Sequence, residues 1–156
     1  MSSEVLATID GAEKLTSVYG QWPDFQDGEV LSVLLDRGNL KQVFETKDWG
    51  AKILPSATVT FLLFDWRVAY DSPGRKSHLA ILRFDGIRDV CLEHFSHQNP
   101  IMGVAIHKAE AREDGEQLLH VEWGGTALAF ETEFLCKAIT VMSVAPFDPS
   151  FGTKTG

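Results

Sequence analysis

The chain has 156 residues, which suits one domain of ordinary size built around a single core. Its hydrophobic fraction of 44%, with ten Phe and four Trp, excludes a disordered chain, and no apolar run is long enough to cross a bilayer. The 22 acidic residues outnumber the 14 basic ones and give a net charge of −8, which argues against direct nucleic-acid binding because phosphate backbones are repelled.

The N-terminus and the cysteines indicate the cellular compartment in which the protein is expected. Met1-Ser2-Ser3-Glu4 lacks the basic start and apolar region of a secretory signal. Cys91 and Cys136 each lie in an apolar stretch, where a free cysteine commonly behaves as a small buried hydrophobe. We therefore expect a cytoplasmic protein without a disulfide and without a membrane partner.

A short helix is predicted near the N-terminus. Asp10 followed by Glu13 matches a capping box, and one helical face carries Ala12, Leu15, Val18 and Tyr19. Gly20 is a natural residue to end this helix.

After the helix the apolar residues alternate with period two, which predicts strands. The predicted strands are 30–36, 58–68, 77–84, 88–95, 101–111, 117–123, 126–133 and 137–144. Residues 38–56 show no sustained period and predict a long connection or an irregular edge. The whole chain, 1–156, is predicted to be a single domain with an ordered core over about 9–146 and a flexible tail over 147–156.

Three dipeptides favour two-residue hairpin turns: Asp85-Gly86, Asp114-Gly115 and Gly124-Gly125. The first would pair Ile81 with Val90, and the third would pair Val121 with Leu128, each time joining apolar residues. The outer face of the third hairpin would carry His120, Glu122 and Glu131. The predicted fold is therefore α+β and mainly β, with a strongly curved antiparallel sheet or partial barrel in meander order and one short N-terminal helix.

The sequence lacks the common catalytic motifs, including G-x-S-x-G, the P-loop and H-E-x-x-H. Cys91, His94 and His97 have metal-like spacing, but on a strand Cys91 and His94 point to opposite faces, so an ordinary strand end is favoured. His107 is predicted to face Glu122 across a hairpin as an exposed pair without a function. We expect no catalysis, no metal and no cofactor.

Two polar segments are candidate contact surfaces. Asp24, Asp27 and Glu29 lie beside Trp22 and Phe25, either as turn caps around a core plug or as an acidic, aromatic-rimmed contact patch. The segment 95–99 places polar side chains between two strands, where hydrogen bonds to the turn's own backbone are the favoured role.

The same two segments resemble a known family. Trp22-Pro23-Asp24-Phe25-Gln26-Asp27-Gly28-Glu29-Val30 is similar to the W-P-x-F-H-D-A-E-V opening of the immunity protein 50 family. Leu34-Leu35-Asp36-Arg37 and Leu82-Arg83-Phe84-Asp85-Gly86 follow in the family's order, and Phe95-Ser96-His97-Gln98-Asn99 resembles its F-N-H-Q-N-x-I segment. Gln26, Gly28 and Ser96 stand where the family often has His, Ala and Asn.

The resemblance implies a bacterial immunity protein that binds and neutralises a cognate polymorphic toxin, such as a basic nuclease domain, without catalysis or a cofactor. The candidate partner-binding residues concentrate aromatic and polar groups in predicted loops: Trp22, Asp24, Asp27, Glu29, His97, Gln98 and Asn99. The identity of the toxin, the surface that meets it and the oligomeric state stay open.

A second possibility is a small-ligand-binding protein resembling a β-barrel. Five phenylalanines on the predicted strands could line its cavity instead of filling a core: Phe61, Phe64, Phe84, Phe95 and Phe130.

Overall fold

The computed structural model describes residues 1–38, 44–45, 47, 54–69, 71–111, 115–124 and 130–147. Two helices precede the strands: α1 (Ser3–Leu6) and α2 (Glu13–Tyr19). The strands are β1 (Gly28–Asp36), β2 (Ser56–Phe64), β3 (Ser77–Asp85), β4 (Arg88–Glu93), β5 (Pro100–Ile101), β6 (Val104–Lys108), β7 (Leu119–Trp123), β8 (Glu131–Cys136) and β9 (Ala138–Pro146). They form a five-stranded sheet in the order β5-β1-β2-β3-β9 and a four-stranded sheet in the order β4-β8-β7-β6.

The predicted N-terminal helix corresponds to α2. It ends at Gly20, whose φ of 77° is the left-handed conformation that glycine adopts at little cost. Leu15 and Tyr19 of the predicted inner face are buried and Ala12 is partly buried, but the prediction is wrong for Val18, which is 38% exposed. The predicted capping box is wrong, because no side chain caps α2 and Asp10 instead forms a parallel bridge with Thr140 of β9. The single turn of α1 was not predicted.

The two sheets pack against each other through a layer of aromatic rings. Trp123 of β7 lies 5.5 Å from Phe61 of β2 and 5.9 Å from Phe84 of β3, between ring centroids. Phe84 also lies 5.1 Å from Phe134 of β8 in an edge-to-face arrangement. Edge-to-face rings add about 0.5–1.5 kcal/mol per pair beyond the burial of their area. The core of the protein therefore lies between the sheets.

The chain passes between the sheets twice at one corner. Gly86 follows β3 with a φ of 65°, and a Cβ atom placed on it would lie 2.7 Å from Cγ of Lys137, which follows β8. The Lys137 N–H donates to the Asp85 carbonyl at 2.9 Å. Because β3 pairs with β9 and β4 pairs with β8, the four strands form one two-stranded ribbon that bends at this corner and belongs to both sheets.

The hairpin predicted at Asp85-Gly86 is therefore wrong. Ile81 pairs with Thr60 of β2 and Ser143 of β9 rather than with Val90, which lies in the other sheet. The favoured two-residue hairpin turn with Asp-Gly needs a positive φ at both central residues, whereas Gly86 has one and Asp85 remains in its strand.

The two-residue hairpin turn predicted at Gly124-Gly125 is wrong, because Trp123 lies opposite Thr132, although the two strands on either side of it do pair. β7 and β8 are antiparallel neighbours, but Val121 lies opposite Phe134 rather than Leu128. This shift covers an even number of residues, so the predicted inner face of β7 is kept, and Val121 and Trp123 are buried. Leu128 itself, with the rest of 125–129, lies outside the described residues, as does Asp114.

The predicted fold class is confirmed as mainly β and antiparallel with few helices, while the sheets do not close into a barrel. Meander order holds for β1-β2-β3 and for β6-β7-β8, and one hydrophobic cluster draws on both helices and both sheets. Most of the predicted connection 38–56 and the tail from 148 onward lie outside the described residues. No helix in the described part of the chain is long and apolar enough to span a membrane.

Candidate functional site

The two polar segments predicted as contact surfaces are neighbours in space. β1 pairs with β5, which places Gly28 opposite Ile101 and Glu29 opposite Pro100. The Val30 N–H extends this pairing by donating to the Asn99 carbonyl at 2.9 Å. The segments 22–30 and 95–101 therefore meet where 28–30 lies beside 99–101, and we call the two joined segments the motif surface.

Asn99 connects the two halves of the motif surface. Its Nδ2 donates to the carbonyls of Val30 at 3.2 Å and Ser96 at 2.9 Å, and its Oδ1 accepts from the Ser96 N–H at 2.6 Å. Only 4% of Asn99 is exposed. The Asn99 side chain therefore anchors the loop and positions its neighbours, and its amide is not presented to solvent. This is the structural role that the sequence favoured for the segment 95–99.

The first segment turns tightly around a buried phenylalanine. Phe25 and Asp27 both have positive φ, at 63° and 59°, which is uncommon for residues other than glycine and costs energy. The Asp24 carboxylate accepts a hydrogen bond from the Gln26 N–H at 2.8 Å and so closes the turn, and Asp24 is exposed. Phe25 is buried against the core, and Trp22 packs beside it half-buried. Both roles considered from the sequence, turn closure and an exposed acidic rim, are present together.

The polar groups of the motif surface differ in exposure. Asp24, Asp27, His97 and Gln98 are exposed, whereas Glu29 is half-buried with its Oε1 3.4 Å from the Asn99 N–H. The Ser96 hydroxyl donates to the Gln98 carbonyl at 2.9 Å, which fixes the loop that carries His97.

A cleft of about 1120 Å³ opens beside Trp22 and Asp24 and extends along the outer side of the four-stranded sheet. Besides Asp24, four carboxylates line it: Glu93, Glu122, Glu131 and Glu133. Glu122 lies directly opposite Glu133, and Glu93 directly opposite Glu131, on neighbouring strands. No Lys or Arg is found among the described residues that line this acidic cleft.

Two indole groups of the acidic cleft lack a hydrogen-bond partner among the described residues. They are Nε1 of Trp22 and Nε1 of Trp123, and both atoms are buried. A buried N–H without an acceptor destabilises the folded state by about 1–3 kcal/mol, because it has lost its hydrogen bond to water and has formed no other.

A chain of hydrogen bonds crosses the outer side of the four-stranded sheet. His120 Nε2 lies 2.7 Å from Glu133 Oε1, and His120 Nδ1 lies 2.8 Å from His107 Nε2. The Glu133 carboxylate can only accept, so His120 Nε2 donates to it, while the direction of the hydrogen bond between the two imidazoles depends on their tautomers. The prediction that His107 faces Glu122 is wrong, since His107 lies opposite His120.

Cys91 lies at the edge of the acidic cleft and is exposed. Its Sγ lies 3.6 Å from Glu93 Oε1, and this hydrogen bond, with burial and the charges of Glu93 and Glu133, raises the pKa of the Cys91 thiol. Over the described ranges, no group of three or more His, Cys, Asp or Glu side chains is arranged to hold a metal ion.

The phenylalanines considered for a ligand cavity do not form one. Phe61, Phe84 and Phe130 are fully buried, and each packs against Trp123. Phe95 is 54% exposed and covers Phe130 from outside. The three buried rings fill the core of the described part of the chain, whereas Phe64 is half-buried with the Arg75 guanidinium 4.7 Å above its ring.

The sequence did not identify the acidic cleft. The sequence predicts Glu122 and Glu131 on an outer strand face, as found, but it does not predict the register that sets them opposite Glu133 and Glu93. The alternation of Glu131 and Glu133 in β8 is the signal that could have indicated an acidic stripe.

Comparisons of this chain with protein-family models, with curated proteins and with solved structures found no match.

Proposed function

We propose that this protein is an immunity protein, which binds a cognate protein toxin in the bacterial cytoplasm and blocks it without catalysing a reaction. The observation that carries the proposal is the motif surface: two segments that resemble the same family, 69 residues apart between Val30 and Asn99, are joined to each other by direct hydrogen bonds. Segments that only stabilised separate turns would not need to meet.

Charge and cysteine chemistry support this proposal. The net charge of −8 favours encounter with a basic partner, such as a nuclease domain, and speeds association through long-range attraction. Trp22 supplies an aromatic group of the kind that dominates binding energy at interfaces. Both cysteines are free, which suits the reducing cytoplasm.

The test begins with the gene next to the one encoding this chain. A neighbouring gene that encodes a large protein with a variable C-terminal domain provides the toxin candidate, and that domain is expressed in a bacterial host with and without this chain. We expect growth arrest without the chain, rescue with it, and a stable complex on size-exclusion chromatography. Failure of rescue by well-expressed, folded protein, for every toxic neighbour, contradicts the proposal.

The motif surface is tested separately by removing its charge. A triple variant neutralises its acidic groups while keeping their shape: Asp24→Asn, Asp27→Asn and Glu29→Gln. The matched control neutralises three exposed carboxylates elsewhere on the chain: Asp10→Asn, Asp71→Asn and Glu110→Gln. Both variants carry the same net charge, so weaker toxin binding by the first alone places the contact on the motif surface. Equal binding by both shows that the toxin meets another part of the chain.

A further inference from the structure

Two histidines meet on the outer side of the four-stranded sheet. His107 of β6 lies directly opposite His120 of β7, and because Ile106 and Val121 beside them are buried, strand alternation places both imidazoles outside the core. His107 Nε2 and His120 Nδ1 are 2.8 Å apart, and whichever imidazole donates, one hydrogen lies between them. His107 is exposed and His120 is half-buried. Two imidazole nitrogens therefore converge on one point at the surface.

Glu133 holds one of these imidazoles in a fixed orientation. Its carboxylate accepts from His120 Nε2 at 2.7 Å, so Nε2 carries a hydrogen and Nδ1 is the nitrogen that faces His107. Histidines that bind metal ions almost always donate their second ring nitrogen to a carboxylate, a carbonyl or water, because this hydrogen bond fixes the tautomer and makes the ligand nitrogen more basic. His120 already has the partner that a metal-binding histidine needs.

The chemistry of the two facing nitrogens selects the ion. Imidazole suits Zn²⁺, Cu²⁺ and Ni²⁺, whereas Mg²⁺ and Ca²⁺ prefer oxygen ligands. Two imidazole nitrogens on a tetrahedral zinc ion lie about 3.3 Å apart, so the observed pair must open by about 0.5 Å, which rotation of the exposed His107 side chain permits. We propose that His107 Nε2 and His120 Nδ1 bind a divalent transition-metal ion, in place of the hydrogen between them.

The proposed site has two protein ligands and is open to solvent. Over the residues that the structure describes, no group of three His, Cys, Asp or Glu side chains is arranged around an ion, so water fills its remaining positions. The ion joins the edge strand β6 to β7 and stabilises the folded chain. Only the observed register brings together two histidines that are 13 residues apart, and it revises the expectation that the chain binds no metal. Neither histidine belongs to the motif surface, so zinc binding does not depend on the proposed function.

The probe is zinc sulfate, titrated into the full chain labelled with ¹⁵N. Long-range ¹H–¹⁵N spectra distinguish the two nitrogens of each imidazole, and we expect saturable shifts at His107 Nε2 and His120 Nδ1 while His120 Nε2 keeps its hydrogen. The exposed His94 and His97 are the internal references and should move much less. No saturable shift, or equal shifts at the references, overturns the proposal. The same shifts with magnesium sulfate would assign the ion to carboxylates and would also overturn it.

Matched variants test the ligands by calorimetric titration with zinc. His107→Ala removes one ligand and should weaken zinc binding at least about tenfold. His97→Ala removes another exposed histidine and should change the affinity by less than about twofold. Equal weakening in the two variants contradicts the proposal.

A second pair of variants separates the positioning of His120 from general charge attraction. Glu133→Ala removes the carboxylate that holds His120 and should weaken zinc binding about tenfold. Glu122→Ala removes an equal charge directly opposite Glu133 and should weaken it by less than about threefold. In the metal-free chain, only Glu133→Ala should shift the His120 Nε2 signal. Equal weakening in both variants would show that charge alone attracts the ion and would overturn the positioning role of Glu133.

Discussion

Replacing Asn99 with alanine tests whether this residue holds the motif surface together. The substitution removes three hydrogen bonds, two from Nδ2 to the carbonyls of Val30 and Ser96 and one from the Ser96 N–H to Oδ1. Each such bond contributes about 0.5–1.5 kcal/mol net, and Asn99 is only 4% exposed, so water replaces them poorly. We therefore expect the free energy of unfolding to fall by about 2–4 kcal/mol.

The measurement is urea unfolding followed by tryptophan fluorescence. With a slope of about 2 kcal/mol per molar urea, typical of a domain this size, the midpoint should fall by about 1–2 M. Gln98→Ala is the matched control: Gln98 is exposed, its hydrogen bonds with Ser96 use its backbone, and its change should stay within about 0.5 kcal/mol. If Asn99→Ala lowers the midpoint no more than Gln98→Ala does, Asn99 is not the anchor described above.

Three further predictions concern the corner, the cysteines and a buried histidine. Gly86→Ala should destabilise more than Gly115→Ala, because both residues have positive φ but only Gly86 has a neighbour at 2.7 Å from an added Cβ; equal losses in urea unfolding would contradict the close contact. In folded protein, a thiol reagent should modify Cys91 and leave Cys136 unmodified, since Cys136 is fully buried and burial raises its pKa to about 12; rapid reaction of both would contradict this packing. Burial, with a smaller contribution from a nearby lysine, lowers the pKa of His78, so its neutral form favours the folded state. Its contribution to stability is complete above the ordinary histidine pKa of about 6.5 and is lost as the pH falls through the lower folded value. As the pH is lowered from about 6.5, the unfolding free energy should therefore fall less steeply in His78→Gln than in the unaltered chain, and identical slopes would refute the assignment.

Local pattern was sufficient for the parts of the fold that depend on one element. Alternation along β7 placed Val121 and Trp123 inside, and a left-handed glycine at Gly20 ended α2 as predicted. These features follow from the side-chain period of a strand and from backbone sterics, so they need no knowledge of distant residues.

The sequence alone did not predict which distant strands pair with each other. Asp85-Gly86 has the composition of a hairpin turn, yet the aromatic core draws β3 and β4 into different sheets, and the burial of Phe84 and Phe134 outweighs the local preference for a turn. The acidic cleft depends on the same long-range pairing. Glu122 and Glu133 lie opposite each other only in the observed register of β7 and β8, which differs from the predicted one. The motif surface was also unpredicted as a unit, although each of its two segments was singled out.

The shared ribbon has a consequence for the order in which the protein folds during synthesis. In the four-stranded sheet, β8 lies between β4 and β7, and in the five-stranded sheet β9 pairs with β3 on the side away from β2. Each sheet is therefore incomplete until a strand from the last part of the described chain has been synthesised. Before residue 131 leaves the ribosome, β4 has no strand to pair with in its sheet, and the aromatic rings of β2 and β3 lack the cover that Phe134 supplies. Until then the nascent chain exposes open strand edges, which attract other chains, and both sheets should become complete almost together once β8 and β9 arrive.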